Sequence, residues 1–296
     1  MSGIAFVLVA CFLWAIDTLI RYPLIESGLS PLHIVTYEHI ILLLIFSYFL
    51  IKKVKTMGEL RLSHIFYFFI VGGLGSAIAT LCFTRAFTYL NPSLVILLQK
   101  FQPLVAIILA KLVLKEPIQK KFIFWALICL FGGLLIGHQD VEALFGNSSI
   151  ELSEQNGFGY LFAFIAIIGW GASTVFGKKL SLSGYTEIEI MSGRFFFGAL
   201  VLIPFFFSYS QEYSINSEQL FKISMMILIS GILAMFFYYQ GLKKLSARTC
   251  ILADMFFPFC AVIANWVFLS KSLTPGQILG GLILLLGSSI IQVKQY

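Results

Sequence analysis

Long apolar stretches separated by short polar connections constrain the fold of this chain more than any other feature. Each stretch has about 20 residues, the length of an α-helix that crosses the hydrocarbon core of a bilayer. We therefore predict an all-α integral membrane protein with ten transmembrane helices. The predicted spans are residues 4–22, 33–51, 64–87, 92–113, 120–138, 157–177, 187–209, 220–242, 246–269 and 275–293.

The composition argues against a soluble protein of this length. Hydrophobic residues make up 59% of the 296 residues, and charged residues only 11%. Soluble domains carry about 25% charged residues, and a chain of this size in water could not bury so much apolar surface. The net charge of +6 therefore reports orientation in a membrane, and we expect a lipid bilayer and a small-molecule substrate as partners, with no nucleic acid.

The distribution of basic residues predicts the orientation. With the N-terminus in the cytoplasm, thirteen Lys and Arg residues fall on the cytoplasmic side, and only Arg21, Lys222 and Lys271 fall near the outer ends of spans. The predicted outer loop 139–156 contains acidic residues and no Lys or Arg. Because basic residues concentrate in cytoplasmic loops, we predict that both termini lie in the cytoplasm.

The two halves of the chain resemble each other at a nearly constant spacing. An offset of 156 aligns Trp14 with Trp170, and an offset of 155 aligns Pro103 with Pro258. Each half has five predicted spans, an odd number, so the second half must enter the membrane from the opposite side. We predict two inverted five-helix repeats around a central cavity. They are residues 1–138 and 157–296, joined by the outer linker loop 139–156.

The sequence resembles the EamA family of the drug/metabolite transporter superfamily over essentially its whole length. The resemblance rests on a Trp in the first span of each half, the block FTRAFTYLNPSLVILLQKFQPLVAIILAKLVLKEPI and the Gly-rich fifth span FGGLLIG. The second half departs from the block at Lys271 and Ser272, where the first half has Glu116 and Pro117. The resemblance implies ten helices around a central cavity, transport of a small metabolite, often outward, and a place in a bacterial inner membrane.

Six charged residues lie deep in the predicted spans, where a charge costs about 2.5–3.5 kcal/mol at the bilayer centre. They are Asp17, Glu38, Arg85, Lys100, Arg194 and Asp254. The repeat offset aligns most of them with another polar residue: Glu38 with Arg194, Arg85 with Gln240, Asp254 with Gln99 and Asp17 with Ser173. Polar residues at equivalent positions are expected of a cavity between two repeats. We therefore predict that these residues line a substrate cavity.

Several of the predicted cavity residues have more than one candidate role. Lys100 either binds a carboxylate or phosphate of the substrate or forms a structural ion pair with Glu38 or Asp17. Trp14 and Trp170 either stack on the substrate or pack between helices. We predict helix kinks at Pro103 and Pro258, because a proline inside a helix removes a backbone hydrogen bond. The candidates for proton coupling are Asp17, Glu38, His39 and Asp254.

The sequence lacks the motifs of an enzyme or an ATP-driven pump. It has no HExxH, no GxSxG and no ATP-binding motif, so we predict no catalytic residues, no metal site and no cofactor. The prediction is a secondary transporter that works by alternating access as a monomer or homodimer. Equal numbers of deep positive and negative charges favour a zwitterion such as an amino acid, and the resemblance implies export. A lipid-linked carrier translocase and a structural or partner-binding membrane protein remain as alternatives.

Overall fold

The computed structural model confirms a helical protein that is apolar enough to span a membrane. It describes residues 2–54, 62–115, 117, 121–136, 154–208, 215–254, 256–270 and 273–294. All regular secondary structure in these ranges is helical. Seven described helices are long and apolar enough to cross a membrane: Gly3–Glu26, Pro31–Tyr48, Leu62–Ala86, Pro92–Leu114, Asn156–Leu182, Glu187–Ser208 and Ser217–Lys244.

The described residues form fourteen α-helices, numbered here in chain order. The first part of the chain contains α1 (Gly3–Glu26), α2 (Pro31–Val54), α3 (Leu62–Phe69), α4 (Ala79–Ala86), α5 (Pro92–Leu98), α6 (Gln102–Leu114) and α7 (Lys121–Ile136). The second part contains α8 (Glu154–Leu182), α9 (Glu187–Ser208), α10 (Ser217–Met226), α11 (Met235–Lys244), α12 (Ala247–Asp254), α13 (Phe256–Leu269) and α14 (Pro275–Val293).

The first helix of each part ends in the same way, at a glycine in the left-handed region. Gly28 has φ +87° and Gly184 has φ +92°, a conformation that favours a residue without Cβ. The N–H of Leu29 donates to the carbonyl of Leu24 at 3.3 Å, closing the helix end. This cap explains why α1 extends four residues beyond the predicted span.

Two long helices change to π-helical geometry near their middle. The first π segment, Ile70–Ile78, joins α3 to α4, and the second, Ile227–Ala234, joins α10 to α11. The first contains three glycines, and a Cβ on Gly75 would overlap the side chain of Ser173. The glycines therefore let this segment lie directly against α8 and α9. Such segments are frequent at functional sites.

The helix before Pro103 departs from α geometry. A short 3-10 segment, Gln99–Phe101, separates α5 from α6, and Pro103 lies in the first turn of α6. A proline is tolerated there because the first N–H groups of a helix have no partner within it. Pro258 lies in the first turn of α13, and its side chain is outside the described residues.

Helices from the two parts of the chain pack against each other. α1 lies against α11, α13 and the second π segment, while α8 lies against α4, α6 and the first π segment. α2 packs on α9, and α7 packs on α14. These contacts surround a central cavity between the two parts.

Candidate functional site

The central cavity has a volume of about 130 Å³. Its lining residues come from α1, α2, α4, α6, α8, α9, α11, α12 and α13, from both π segments and from Gln99 of the 3-10 segment. Eight of the residues predicted from the sequence lie in its wall: Trp14, Asp17, Glu38, His39, Gln99, Trp170, Arg194 and Asp254.

Three predicted residues have other positions. Arg85 lines a second cavity and is exposed, and Gln240 is half-buried on α11 without lining the central cavity. The backbone of Lys100 belongs to the 3-10 segment, but its side chain lies outside the described residues. Its choice between substrate binding and an ion pair therefore stays a prediction.

A buried guanidinium joins three helices on one side of the cavity. Arg21 Nε lies 2.8 Å from Asp17 Oδ2, and Arg21 Nη2 lies 3.1 Å from Glu38 Oε2. Arg21 Nη1 also donates to Thr84 Oγ1 at 3.3 Å. Asp17 Oδ1 accepts from Ser230 Oγ of the second π segment at 2.7 Å. We call Asp17, Arg21, Glu38, Thr84 and Ser230 the Arg21 cluster.

The sequence predicts a charge near the outer surface at Arg21, and this prediction of its position is wrong. The structure buries it, with 3% of its surface exposed, because its fork reaches inward to two carboxylates. A signal was present: Asp17 and Arg21 are four residues apart, a spacing that brings opposite charges together on one helix face. The partner on α2 could not be inferred in this way, since it depends on how helices pair.

A second guanidinium makes a different set of contacts. Arg194 on α9 donates to Ser76 Oγ at 3.0 Å, to Ser173 Oγ at 2.9 Å and to the Gly75 carbonyl at 3.2 Å. It also reaches the Tyr239 hydroxyl at 3.3 Å. We call these five residues the Arg194 cluster. No described carboxylate lies within 4.0 Å of Arg194, so all its described partners are neutral.

Each tryptophan of the cavity pairs with an aromatic ring from the other half of the chain. The ring centroids of Trp14 and Tyr238 are 5.3 Å apart, and those of Trp170 and Phe83 are 4.9 Å apart. Phe257 lies edge-on to Trp14 at 6.4 Å. These rings form aromatic parts of the cavity wall.

One cavity residue carries a hydrogen-bond donor that nothing described satisfies. Gln99 is 4% exposed, and its Nε2 has no hydrogen-bond partner among the described residues. A buried donor without a partner costs about 1–3 kcal/mol, and at a cavity wall it is available to a ligand. His39 differs, because its ring nitrogens contact the Val35 carbonyl at 2.8 Å and Ser76 Oγ at 2.9 Å.

Lys178 lies near the C-terminal end of α8 and makes buried contacts with α11. It is 9% exposed, and its Nζ donates to the Leu242 carbonyl at 3.0 Å and to the Lys243 carbonyl at 3.3 Å. These are among the last carbonyls of α11, which have no partner within the helix. A cation at a helix C-terminus also interacts favourably with the helix dipole. Lys178 therefore ties α8 to the end of α11.

The riboflavin transporter ImpX of Fusobacterium nucleatum subsp. nucleatum is 27% identical over 305 residues, covering 100% of this chain and 98% of the relative. The uncharacterized transporter YoaV of Bacillus subtilis is 26% identical over 159 residues, covering 52% of this chain and 53% of the relative.

A solved crystal structure also matches, with a TM-score of 0.66 over 99% of this chain and 96% of its own. Its sequence identity of 12% limits the likeness to the fold. The model of the EamA-like transporter family matches residues 1–137 and 157–293. The resemblance found in the sequence is thus confirmed: the chain belongs to the EamA-like transporter family and is a multi-pass membrane transporter, not an enzyme.

Proposed function

We propose that the chain is a secondary transporter with ten transmembrane helices in two inverted five-helix repeats, 1–138 and 157–296. The family model matches once in each half, which supports this division. The packing of α1 on α11 and α13 has its counterpart in the packing of α8 on α4 and α6. The two π segments are separated by almost the same offset as the two tryptophans.

The two polar clusters support the proposal of alternating access. The Arg21 cluster holds α1, α2 and α4 to the second π segment, and the Arg194 cluster holds α9 to the first π segment and α8. Glu38 and Arg194 occupy equivalent positions of the two repeats. We propose that the Arg21 cluster closes the outer side of the cavity and that its separation opens that side. The two halves then rock about the cavity between them.

The substrate that this cavity favours is a neutral planar heteroaromatic metabolite, with riboflavin as the first candidate. Aromatic side chains stack readily on planar rings, and two aromatic pairs form the walls. The observation that carries the proposal is the unpartnered donor Gln99 Nε2, which can bond a ring carbonyl between those walls. The name of the full-length relative, a riboflavin transporter, supports the same class.

The size of the cavity bears on the state of the transporter. An engineered cavity of about 150 Å³ holds one benzene molecule, whereas the present cavity has about 130 Å³. A flavin is much larger than benzene, so the cavity must widen to admit it. In the proposal, this conformation is a narrow state of the cycle, and binding of the whole substrate requires the two halves to move apart.

A zwitterion such as an amino acid is the second candidate. The observation that favours it is Arg194, a buried cation whose described partners are all neutral. A guanidinium binds a carboxylate through two parallel hydrogen bonds. A small amino acid also matches the present volume more closely than a flavin does. Gln99 and Arg194 therefore distinguish the two candidates, because each substrate depends on a different side chain.

The test is ligand binding and transport by the purified full chain. We would titrate the protein with riboflavin and with a panel of amino acids, following flavin fluorescence or melting temperature. A ligand at 100 times its Kd stabilises the protein by about 2.7 kcal/mol. If riboflavin is the substrate, Gln99→Leu should weaken its binding about tenfold, the loss of roughly one hydrogen bond. Arg194→Met should then have the smaller effect.

The reverse pattern would identify the zwitterion. In that case an amino acid stabilises the protein, Arg194→Met abolishes the response and Gln99→Leu leaves it almost unchanged. Flux into and out of proteoliposomes gives the direction, for which export is the proposal. Failure of both ligand classes to bind or move would contradict both candidates and favour a lipid-linked substrate or a structural role.

We also propose that transport is coupled to protons. Within the Arg21 cluster, Asp17 and Glu38 share one guanidinium, so one carboxylate can accept a proton without leaving Arg21 unpaired. Glu38 is the favoured group, since Asp17 accepts a further hydrogen bond from Ser230. His39 and Asp254 remain further candidates. A substrate flux that does not respond to a pH gradient across the vesicle membrane would rule this coupling out.

The proposed setting is a bacterial inner membrane with both termini in the cytoplasm, as a monomer or homodimer. The excess of basic residues on one side of the predicted spans supports the orientation. A reporter that is active only in the cytoplasm should work when fused to the C-terminus, and an active periplasmic reporter there would contradict the orientation. The mass of the protein in detergent distinguishes monomer from dimer.

A further inference from the structure

A second cavity lies apart from the central one, and we call it the outer vestibule. Its volume is about 410 Å³, against about 130 Å³ for the central cavity. It forms where α2 begins and where α4 and α9 end. Its described lining residues are Ser30, Pro31, Leu32, Leu81, Arg85, Thr88, Tyr89, Phe205 and Ser208. The volume lies in the range of about 300–1,000 Å³ that small-molecule sites occupy.

The only charged residue among those lining residues is Arg85. Its guanidinium carbon lies 5.3 Å from the centre of the Phe162 ring, a cation–π contact that leaves the edge of the fork free for hydrogen bonds. No described carboxylate lies within 4.0 Å of it. The neighbouring Thr84 is buried in the Arg21 cluster, whereas Arg85 is exposed, so the two residues lie on different faces of α4. Arg85 is therefore a cation that the transport cavity does not use.

The chemistry of the lining indicates an anionic ligand with an apolar part. A guanidinium presents several donors in one plane and pairs closely with phosphate oxygens. Tyr89 belongs to the same lining, and Leu32, Leu81 and Phe205 offer an apolar wall. Arg85 also lies in the last turn of α4. Arginine at a span end reaches the level of the lipid headgroups.

We propose that the outer vestibule binds a phosphate group through Arg85. The phosphate belongs either to a phospholipid headgroup or to a soluble phosphate ester, and the apolar wall takes the adjoining carbon chain. The site is separate from the central cavity and does not depend on which substrate that cavity carries.

The test uses the full chain purified in detergent and two phosphate probes. One probe is glycerol 3-phosphate, and the other is short-chain dihexanoyl phosphatidylglycerol, each titrated to saturation by calorimetry. We expect saturable binding of at least one probe by the wild type. Arg85→Gln should raise its Kd at least about tenfold, the loss of charge-assisted hydrogen bonds. Arg85→Lys keeps the charge but not the fork and should give a smaller loss.

Lys222→Gln is the matched control. Lys222 lies on α10 near Gln219, whose side chain contacts Ser27 at the end of α1 at 3.1 Å, so it is a cation at the same end of the bundle. It pairs with Glu218 at 2.6 Å and is not among the described lining residues of the vestibule. Its variant should bind the probe as the wild type does. The ligand-free melting temperature of each variant shows whether it is folded before the titration.

The two probes also distinguish the sources of the phosphate. Binding of the lipid without glycerol 3-phosphate identifies a headgroup site, and binding of glycerol 3-phosphate identifies a site for soluble esters. The proposal is overturned if the wild type saturates with neither probe, or if Arg85→Gln and Lys222→Gln change the Kd equally. Because the central cavity is not involved, a failed riboflavin titration would not affect this result.

Discussion

Replacing Arg21 with methionine gives the most direct test of the Arg21 cluster. Arg21 makes four described hydrogen bonds, two with Asp17, one with Glu38 and one with Thr84. Methionine is unbranched and uncharged, so both carboxylates would remain buried without their cation. Removal of one partner from a buried ion pair destabilises a protein by about 3–5 kcal/mol.

This loss corresponds to a large change in melting temperature. One kcal/mol shifts the melting temperature by about 2–4 °C in domains of 150–250 residues, so we expect Arg21→Met to melt about 10 °C lower than the wild type. The measurement is thermal unfolding of the purified protein in detergent, followed by tryptophan fluorescence. Lys222→Met is the control, because Lys222 pairs with Glu218 at an exposed site, where an ion pair contributes about 0–1 kcal/mol.

A compensated variant separates the loss of charge balance from the loss of packing. Asp17→Asn and Glu38→Gln, combined with Arg21→Met, leave no charge in the cluster and should recover much of the lost stability. The explanation fails if Arg21→Met melts no lower than Lys222→Met. It also fails if the triple variant melts lower than Arg21→Met alone, since the damage would then come from shape and not from unpaired charge.

Three further substitutions test the packing of the first π segment, the contact between Lys178 and α11, and the aromatic wall of the central cavity. Gly75→Ala should lower the melting temperature, with a cost of about 1–3 kcal/mol, because its Cβ would overlap a side chain of α8, whereas Gly157→Ala, with nothing within 4 Å, should not. Lys178→Met should also lower it, by about 1–3 kcal/mol, because two carbonyls of α11 lose their donor; a melting temperature equal to that of the wild type would contradict this. Trp170→Ala should weaken riboflavin binding about tenfold, measured by flavin fluorescence, while Trp266→Ala on the exposed face of α13 should not; equal Kd values for the two variants would remove Trp170 from the site.

The apolar pattern predicted the seven described helices of membrane-spanning length, because membrane spans are long and uniform. The predicted third span, 64–87, compares with the observed helix Leu62–Ala86. The repeat offset also picked out polar residues that the structure brings to the cavity, including Glu38 and Arg194. Both results follow from properties that are local in sequence or periodic along it.

The direction in which a side chain points was harder to predict. The sequence places Arg85 deep along the axis of its predicted span. Depth along the axis does not tell which face of the helix a residue occupies. The first π segment, Ile70–Ile78, precedes Arg85 in the same long helix. A π-helix has more residues per turn than the 3.6 of an α-helix, so the face on which Arg85 lies cannot be counted from the α-helical repeat. Arg21 raised the opposite difficulty, since it lies near the end of its predicted span yet its long side chain reaches inward to Asp17 and Glu38.

Residues of both halves complete each polar cluster. Arg194 donates to Ser76 Oγ and to the Gly75 carbonyl of the first half, and Ser230 of the second half donates to Asp17. Two copies of one half would lack these contacts, and a buried polar group without a partner costs about 1–3 kcal/mol. When residues 1–138 and 157–296 are expressed as separate chains, they should therefore assemble with each other in a one-to-one complex, and neither should pair with itself.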